Sequence, residues 1–508
     1  MKISLISPYT NISAYGLRSI SACLKNDGHE VSMIFLPNKY DKKYEEVVLS
    51  ELVELVKDAE LIGISLMTNH FDNVVQLTKR LKVAINAPII WGGIHPTIRP
   101  EECLNCVDIV CVGEGEESFL ELVKKMQVGE DYYKVLGLWF KKDGEIIKNK
   151  LRSLQQNLDA IPFQDYEIET HYILVNGHIQ KMDKEILSNQ LKRDYSTQPT
   201  RGCPFSCTYC CNNTLNRMYS DQRLRVRKRS VYNIINELVR AKSKLTFINH
   251  ITFDSDAFFL YSQAEIKEFC REYKQKVNLP LHIGGVTPTA VTKESIAMLV
   301  DAGLTGITMG IQSGSERTKK QYQRNHSNQQ VINVAKIING FKGKLFPRYD
   351  VIIDNPWETD EDLMETLMFL TKIPAPYELS LFSLTLFPET ELYYKAIKDG
   401  LIANEKQAVY RKNYNVRLNK MIAGPTKRSY LYSLFHLLYV YGLGGQSVSA
   451  KTMSRLIDCG RHPFTSRLLY FIMGLRAKII LEKYLAQEKY FAMKEEKFNK
   501  KHYSLLLD

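Results

Sequence analysis

The 508-residue chain has no apolar run of the ~18–20 residues that a membrane-spanning helix requires, so no helical membrane span is expected. Its N-terminus, MKISLISPYT, lacks the charged region, apolar stretch and small-residue cleavage site of a signal peptide, and a cytoplasmic location is expected. Lys and Arg outnumber Asp and Glu by 68 to 56, for a net charge of +12, yet no stretch is basic enough to act as a nucleic-acid arm. An aromatic-plus-basic RNA motif is missing too, so no nucleic-acid partner is expected. What remains is an ordinary globular composition, 44% hydrophobic and 24% charged, long enough for two or three packed domains.

The first 130 residues alternate short apolar runs (KISLISP, EVSMIFLP, LIGISLM, PIIWGG, DIVCVG) with helical patterns such as Tyr44–Ala59 and Glu116–Met126. That alternation predicts a flavodoxin-like, doubly wound parallel sheet. Ligands of such sheets sit at the carboxyl ends of the strands, which here carry Ser65, Gly92-Gly93 and Gly113-Glu114-Gly115. Residues 131–195 are mixed and polar and read as a connector. From residue 196 to 393 the βα rhythm returns, with strands expected at Thr246–Phe253, Leu281–Gly284, Gly306–Ile311, Arg348–Ile353 and Leu379–Leu386, a partial or full βα barrel. Residues 394–508 become helical and basic, a C-terminal extension.

Soon after the connector comes Arg201-Gly202-Cys203-Pro204-Phe205-Ser206-Cys207-Thr208-Tyr209-Cys210, three thiols in eight residues on a loop that Gly and Pro keep from being helical. Thiolates suit iron–sulfur clusters or zinc. A structural zinc site would be closed by a fourth Cys or His at familiar spacing, and no CxxC partner follows. Three ligands leave one metal position open to a small molecule. Cys211 points elsewhere and reads as a packed thiol, as do Cys23, Cys111, Cys270 and Cys459; Cys103 and Cys106 stand close enough in sequence to be checked for metal.

The C-x3-C-x-aromatic-C loop, preceded by Thr-Arg-Gly, resembles the radical S-adenosylmethionine (SAM) superfamily, and the resemblance continues over about 200 residues. Thr252–Phe258 is similar to the F-x-D-D-x-F segment, Leu299–Glu316 to the AG…GiESGs stretch, Asn355–Thr359 to the G-x-P-g-E-T turn and Leu386–Tyr393 to P-G-T-x-L-Y. The resemblance implies a radical SAM partial (βα)6 barrel and a [4Fe–4S] cluster on Cys203, Cys207 and Cys210. It implies SAM contacts at Tyr209, Asp254, Asp256, Gln312, Ser313 and Glu358. Three places depart from the pattern: Gln312 stands where Glu is frequent, Glu389 where Gly is usual, and Gly285-Val286-Thr287 where Arg-x-Asp is frequent.

The N-terminal part resembles the cobalamin-binding class of this superfamily at Ile89–Thr97 (vvGGpHpT), Asp108–Glu114 (D-x-v-v-x-G-E) and Glu116–Phe119. Cobalamin contacts are then implied at Ser65, Gly92, Gly93, Gly113, Glu114 and Gly115. The D-x-H-x-x-G motif that brings a histidine to cobalt is absent, Ser7-Pro8-Tyr9-Thr10 standing in its place, and His95 before a proline reads as a packing residue. The implied activity is that of a cobalamin-dependent radical SAM C-methyltransferase acting on an unactivated carbon through a 5′-deoxyadenosyl radical. A cyclase or oxidoreductase of the same architecture without methyl transfer is the competing expectation. A small-molecule or lipid-like substrate and a reducing protein such as flavodoxin or ferredoxin are the expected partners; no side chain is singled out as catalytic.

Residues 429–445 and 464–485 are apolar and aromatic. They read as a helical cap on the barrel or as an amphipathic surface for peripheral membrane contact.

Overall fold

The structure, a computed structural model, describes residues 1–221, 226–412 and 426–459. These form two compact units: residues 1–197, 201–248 and 385–412 make the first, and residues 198–200, 249–384 and the described residues from 426 on make the second.

A nine-stranded sheet forms the heart of the first unit: β1 (Lys2–Ser7), β2 (Glu30–Phe35), β3 (Leu61–Ser65), β4 (Ile89–Gly92), β5 (Ile109–Cys111), β6 (Leu138–Lys142), β7 (Glu145–Lys148), β8 (His171–Val175) and β9 (His178–Lys181). Their spatial order is β7-β6-β5-β4-β3-β1-β2-β8-β9. The five apolar runs of the N-terminal sequence become β1 to β5, all parallel, with Ile3, Leu5, Ile62, Ile64, Ile90 and Trp91 almost fully buried. Strands buried on both faces read as continuous apolar runs, which is why the sequence exposes them. The order reverses at β1, whose neighbours are β2 and β3, and helices Tyr15–Asn26, Glu46–Val56, Phe71–Ala84 and Glu116–Gln127 follow strands in the doubly wound manner.

The connector does more than connect. Its hairpins β6–β7 and β8–β9 extend the sheet at both edges, β6 antiparallel to β5 and β8 parallel to β2. Both turn on two left-handed residues, Asp143-Gly144 (φ 50° and 85°) and Asn176-Gly177 (φ 52° and 85°), the pairing a tight hairpin demands. Short strands β10 (Asp194–Thr197), β11 (Thr200–Arg201) and β12 (Arg227–Lys228) follow.

Five parallel strands organise the second unit: β13 (His250–Phe253), β14 (Leu281–Val286), β15 (Leu304–Gln312), β16 (Phe346–Ile353) and β17 (Glu378–Ser383), paired in sequence order. Helices Gln263–Lys276, Lys293–Ala302, Asn328–Asn339 and Asp360–Leu370 alternate with them, the βα succession of a partial barrel. Capping boxes start all four, at Ser262, Thr292, Ser327 and Thr359. Along β15 and β16, Ile307, Met309, Ile311, Tyr349, Val351 and Ile353 are buried, while the alternate residues Thr308, Gln312, Arg348 and Asp350 are partly open.

Helix Lys427–Leu443 packs on β17 and on helix Asp360–Leu370, with Leu431, Leu434, Phe435 and Leu438 at or near zero exposure. Buried residues lie all round it, the burial of a cap rather than of an amphipathic surface. No helix among the described residues is long and apolar enough to cross a membrane. Residues 464–485 lie outside the described residues.

Candidate functional site

Cys203, Cys207 and Cys210 lie on an irregular loop of the first unit, Cys207 buried and the other two partly open. Gly202 enters it at φ 88°, a left-handed conformation that glycine adopts without steric cost. The loop folds back on itself: the Cys210 amide donates to the Cys207 carbonyl (3.1 Å), and helix Cys211–Met218 begins at once. From that helix the Asn216 amide donates to the carbonyls of Cys203 (2.9 Å) and Phe205 (3.4 Å), pinning the start of the loop. Among the described residues no three His, Cys, Asp or Glu side chains are grouped to hold a single ion. A cubane cluster, in contrast, takes each thiolate on a separate iron, and three thiols on one pinned, partly open loop fit that donor requirement. Burial raises the Cys103 thiol well above its ordinary range and raises Cys106 as well, so both stay protonated packing groups.

The same unit holds the strand ends singled out at β3, β4 and β5. The loop after β1, where a cobalt-ligating histidine would come in other proteins, is tied down by Arg18. This fully buried guanidinium donates to the carbonyls of Ile12 (2.9 and 3.1 Å), Ser13 (3.1 Å) and Asp165 (2.5 Å) and stacks over Tyr166. Tyr9 from this loop hydrogen-bonds Ser65 at the end of β3 (2.8 Å). His95 is fully buried beside Phe71 and Tyr410, with Nδ1 3.1 Å from the Thr68 hydroxyl. Burial above all, and then Arg99, lowers its pKa to about 3, so it is a neutral packing histidine.

The glycines at the strand ends differ in what they require. Gly93 has φ 98°, and a Cβ there would lie 2.8 Å from the Leu66 carbonyl; Gly113 also has φ 98°, and its Cβ would meet the Tyr219 hydroxyl. A Cβ on Gly115 would be 2.8 Å from Ile20. The protein's own backbone therefore demands glycine at Gly93 and Gly113, whereas at Gly115 the neighbour is the movable end of the Ile20 side chain. Gly92 is otherwise: a Cβ there would only touch Cys111 at 3.7 Å, so nothing in the protein requires a bare backbone. A strand end left bare without an internal reason suits the flat face of a corrin ring.

Glu114 has its carboxylate taken by Arg227, Oε2 to Nη1 at 2.8 Å and Oε1 to Nη2 at 2.6 Å, with Arg201 Nη1 3.7 Å away. Burial works to raise its pKa, and the two guanidinium groups outweigh it, so Glu114 stays ionised. Arg201 also bonds Glu116 (2.6 Å), and Tyr219 covers Gly113. Arg201, Tyr219 and Arg227 are the residues that reading along the sequence does not find. Arg201 stands beside the cysteine motif, but its carboxylate partners are some 85 residues upstream, beyond any local pattern.

The SAM-related positions belong to the second unit, except Tyr209, which is on the cysteine loop of the first. Asp254 and Asp256 follow β13 and are exposed. Gln312 ends β15 in left-handed backbone (φ 69°). Ser313 and Glu358 are brought together, 3.4 Å apart, but inward: both are almost fully buried, and Ser313 also meets Thr366 (3.1 Å). The pKa of Glu358 is pushed up to about 7, by burial first and by Asp362 as well. Its other carboxylate oxygen has no partner, so these two side chains shape the turn from behind rather than reaching out of it.

Comparison with known proteins places two family matches on this framework: the B12 binding domain over residues 1–123 and the Radical SAM superfamily over residues 197–370. The chain is 27% identical over 419 residues to an uncharacterized methyltransferase of Pyrococcus horikoshii, covering 79% of this chain and 84% of that one. It is 28% identical to an anaerobic magnesium-protoporphyrin IX monomethyl ester cyclase of Synechocystis, over 40% of this chain and 38% of the cyclase. Among solved structures, the cobalamin-dependent SAM radical enzyme OxsB, with aqua-cobalamin and SAM bound, shares the fold at a TM-score of 0.64 and 17% identity, over 96% of this chain and 75% of OxsB.

Proposed function

This chain is a cobalamin-dependent member of the radical SAM superfamily, and from that premise we propose that it is a C-methyltransferase that acts on an unactivated carbon of a small or lipid-like substrate. The observation that carries the reading is the methyltransferase likeness, which covers 79% of the chain, whereas two cyclase likenesses cover 40% and 56% of it.

In this reading Cys203, Cys207 and Cys210 hold a [4Fe–4S] cluster with an open iron for SAM. Tyr209, Asp254, Asp256, Gln312, Ser313 and Glu358 serve SAM, the Ser313 and Glu358 side chains by shaping the turn that follows Gln312. Ser65, Gly92, Gly93, Gly113, Glu114 and Gly115 form the cobalamin-facing strand ends, Gly92 by direct approach and Glu114 through its backbone, since Arg227 occupies its carboxylate. When bound, the cofactors supply the 5′-deoxyadenosyl radical and the methyl carrier. The chain's own groups position and enclose: Arg18 holds the loop beneath β1, and Asn216 holds the cluster loop. Functionally the chain divides into 1–130 for cobalamin, 131–195 as connector, 196–393 as radical SAM core and 394–508 as helical extension. Reducing electrons come from a flavodoxin- or ferredoxin-like donor.

The test is anaerobic purification with iron, sulfide and hydroxocobalamin, metal quantification, and a dithionite-driven SAM assay on extracts with mass detection. Four irons and one cobalt per chain, with a product heavier by one CH2 unit, are expected. 5′-Deoxyadenosine with a new product but no CH2 gain would replace methyl transfer by the cyclase or oxidoreductase reading.

A further inference from the structure

Glu389 is a non-glycine residue in left-handed backbone, φ 63°, at a position where the resembled segment has glycine. A side chain there is strained, and only compensating contacts keep it. Its carboxylate supplies them. Oε1 lies 2.8 Å from Arg99 Nε, a charge contact off the N–H axis, and the other oxygen accepts from the Tyr394 hydroxyl. Arg99 also bonds Tyr393 (2.5 Å) and Glu405 (3.1 Å), so the guanidinium is wrapped by the segment 389–405.

The two ends of this contact lead to different cofactor segments, all within the first unit. Arg99 closes the short helix Ile94–Ile98, which opens directly after Gly92-Gly93. The Glu389 carbonyl accepts from Thr214 (2.9 Å) and Arg217 (2.8 Å), both on the helix that starts immediately after Cys210. Asn213 on that helix adds a bond to Glu391 (2.9 Å), and the Leu392 amide donates to the Thr208 carbonyl inside the cysteine loop (3.1 Å). One strained residue thus holds Arg99, at the end of the helix that follows Gly92-Gly93, by its side chain and the helix that follows the cluster loop by its backbone carbonyl, with Leu392 three positions on tied to the loop itself.

We propose that Glu389 is a positioning residue that couples the two cofactor sites through Arg99, so that cobalamin bound at the Gly92-Gly93 strand end stabilises the cluster loop and the cluster in turn favours cobalamin. This rests on the reading that the chain binds both cofactors. A coupling between sites is a free energy shared by both, and it is measurable from either side.

The experiment uses the full chain, reconstituted anaerobically with iron and sulfide, with and without hydroxocobalamin. The readout is the rate at which an iron chelator bleaches the cluster absorbance near ~400 nm. Cobalamin is expected to slow bleaching of the wild type about fivefold or more. Glu389→Gly relieves the backbone strain, so it should fold and take up both cofactors, yet its with-to-without ratio should fall to about one. Arg99→Met should give the same ratio, and the double variant should add nothing, as for two residues acting through one contact. Glu389→Gln, which keeps a side chain on the same backbone but loses the charge, should fall between. A wild-type ratio retained in Glu389→Gly, or a ratio of one in doubly loaded wild type, overturns the coupling alone. Failure of the wild type to take up cobalt overturns the proposed function and this inference with it.

Discussion

Glu114 and Arg227, 113 positions apart in sequence, face each other through two parallel hydrogen bonds of 2.6 and 2.8 Å at the end of β5. The Arg227 side chain is 3% exposed, which makes this a largely desolvated pair. Removing one partner of such a pair leaves the other buried and uncompensated, which costs more than the pair itself contributes.

Glu114→Gln should therefore destabilise the first unit by roughly 1.5–3 kcal/mol, the range for hydrogen bonds to charged groups. Amide hydrogen exchange is the check, because it reads the unit locally: protection over residues 109–116 and 226–229 should fall together. Loss of protection confined to one of these stretches would mean that the pair does not tie them.

Replacing Cys203, Cys207 or Cys210 by Ala should each abolish the ~400 nm absorbance and SAM cleavage. Cys211→Ala, one position into the helix, should keep both. Iron content per chain decides: a full cluster in any of the first three variants, or none in the last, would change the ligand set.

The glycines give a paired test. Gly93→Ala puts a Cβ 2.8 Å from a carbonyl oxygen in left-handed backbone, so it should lower the thermal midpoint of the apoprotein. Gly92→Ala has ordinary backbone and room for its Cβ, so its midpoint should stay within about 2 °C, the shift that ~0.5–1 kcal/mol produces in a unit of this size, while cobalt uptake falls. Normal cobalt uptake by Gly92→Ala would remove that strand end from the cofactor site.

Glu358 sets an expectation for pH. Its carboxyl is pushed up to about 7 in the folded chain against 4.5 ordinarily, so the folded state holds the proton more tightly than the unfolded state between those values. Stability then falls as pH rises from 4.5 through 7 and levels off above, by roughly 3 kcal/mol at most for this group. Asp350, raised to about 7 by burial, acts in the same direction. Denaturant midpoints at pH 5, 6, 7 and 8 should show that slope in the wild type and a markedly flatter one in Glu358→Gln; equal slopes would mean that Glu358 ionises normally.

The sequence carried the strands whose burial is two-sided. β1 to β5 are continuous apolar runs, and β14 to β17 fall within a few residues of their expected bounds. β13 begins at His250, later than expected, because Leu245–Ile248 forms a turn. The hairpins of 131–195 were missed although Asp143-Gly144 and Asn176-Gly177 signal them, since strands such as β7 and β9 have too few buried residues to show a period. The cysteine loop is local chemistry and is legible from spacing alone. The ties of Glu114 to Arg227 and of Arg99 to Glu389 are not, because each pairs ordinary charged residues whose meeting only the fold decides. The inward turn of Ser313 and Glu358 is equally hidden, as a motif names residues without saying which way they face.

The two hairpins also bear on how copies of this chain meet. A parallel sheet with bare edges offers unpaired backbone groups to any passing strand. Here the outermost strands are β7, with Glu145 and Lys148 exposed, and β9, with His178 and Lys181 exposed, each short and charged. Such borders resist strand addition, so sheet-to-sheet fusion between chains is disfavoured although the centre of the sheet is apolar.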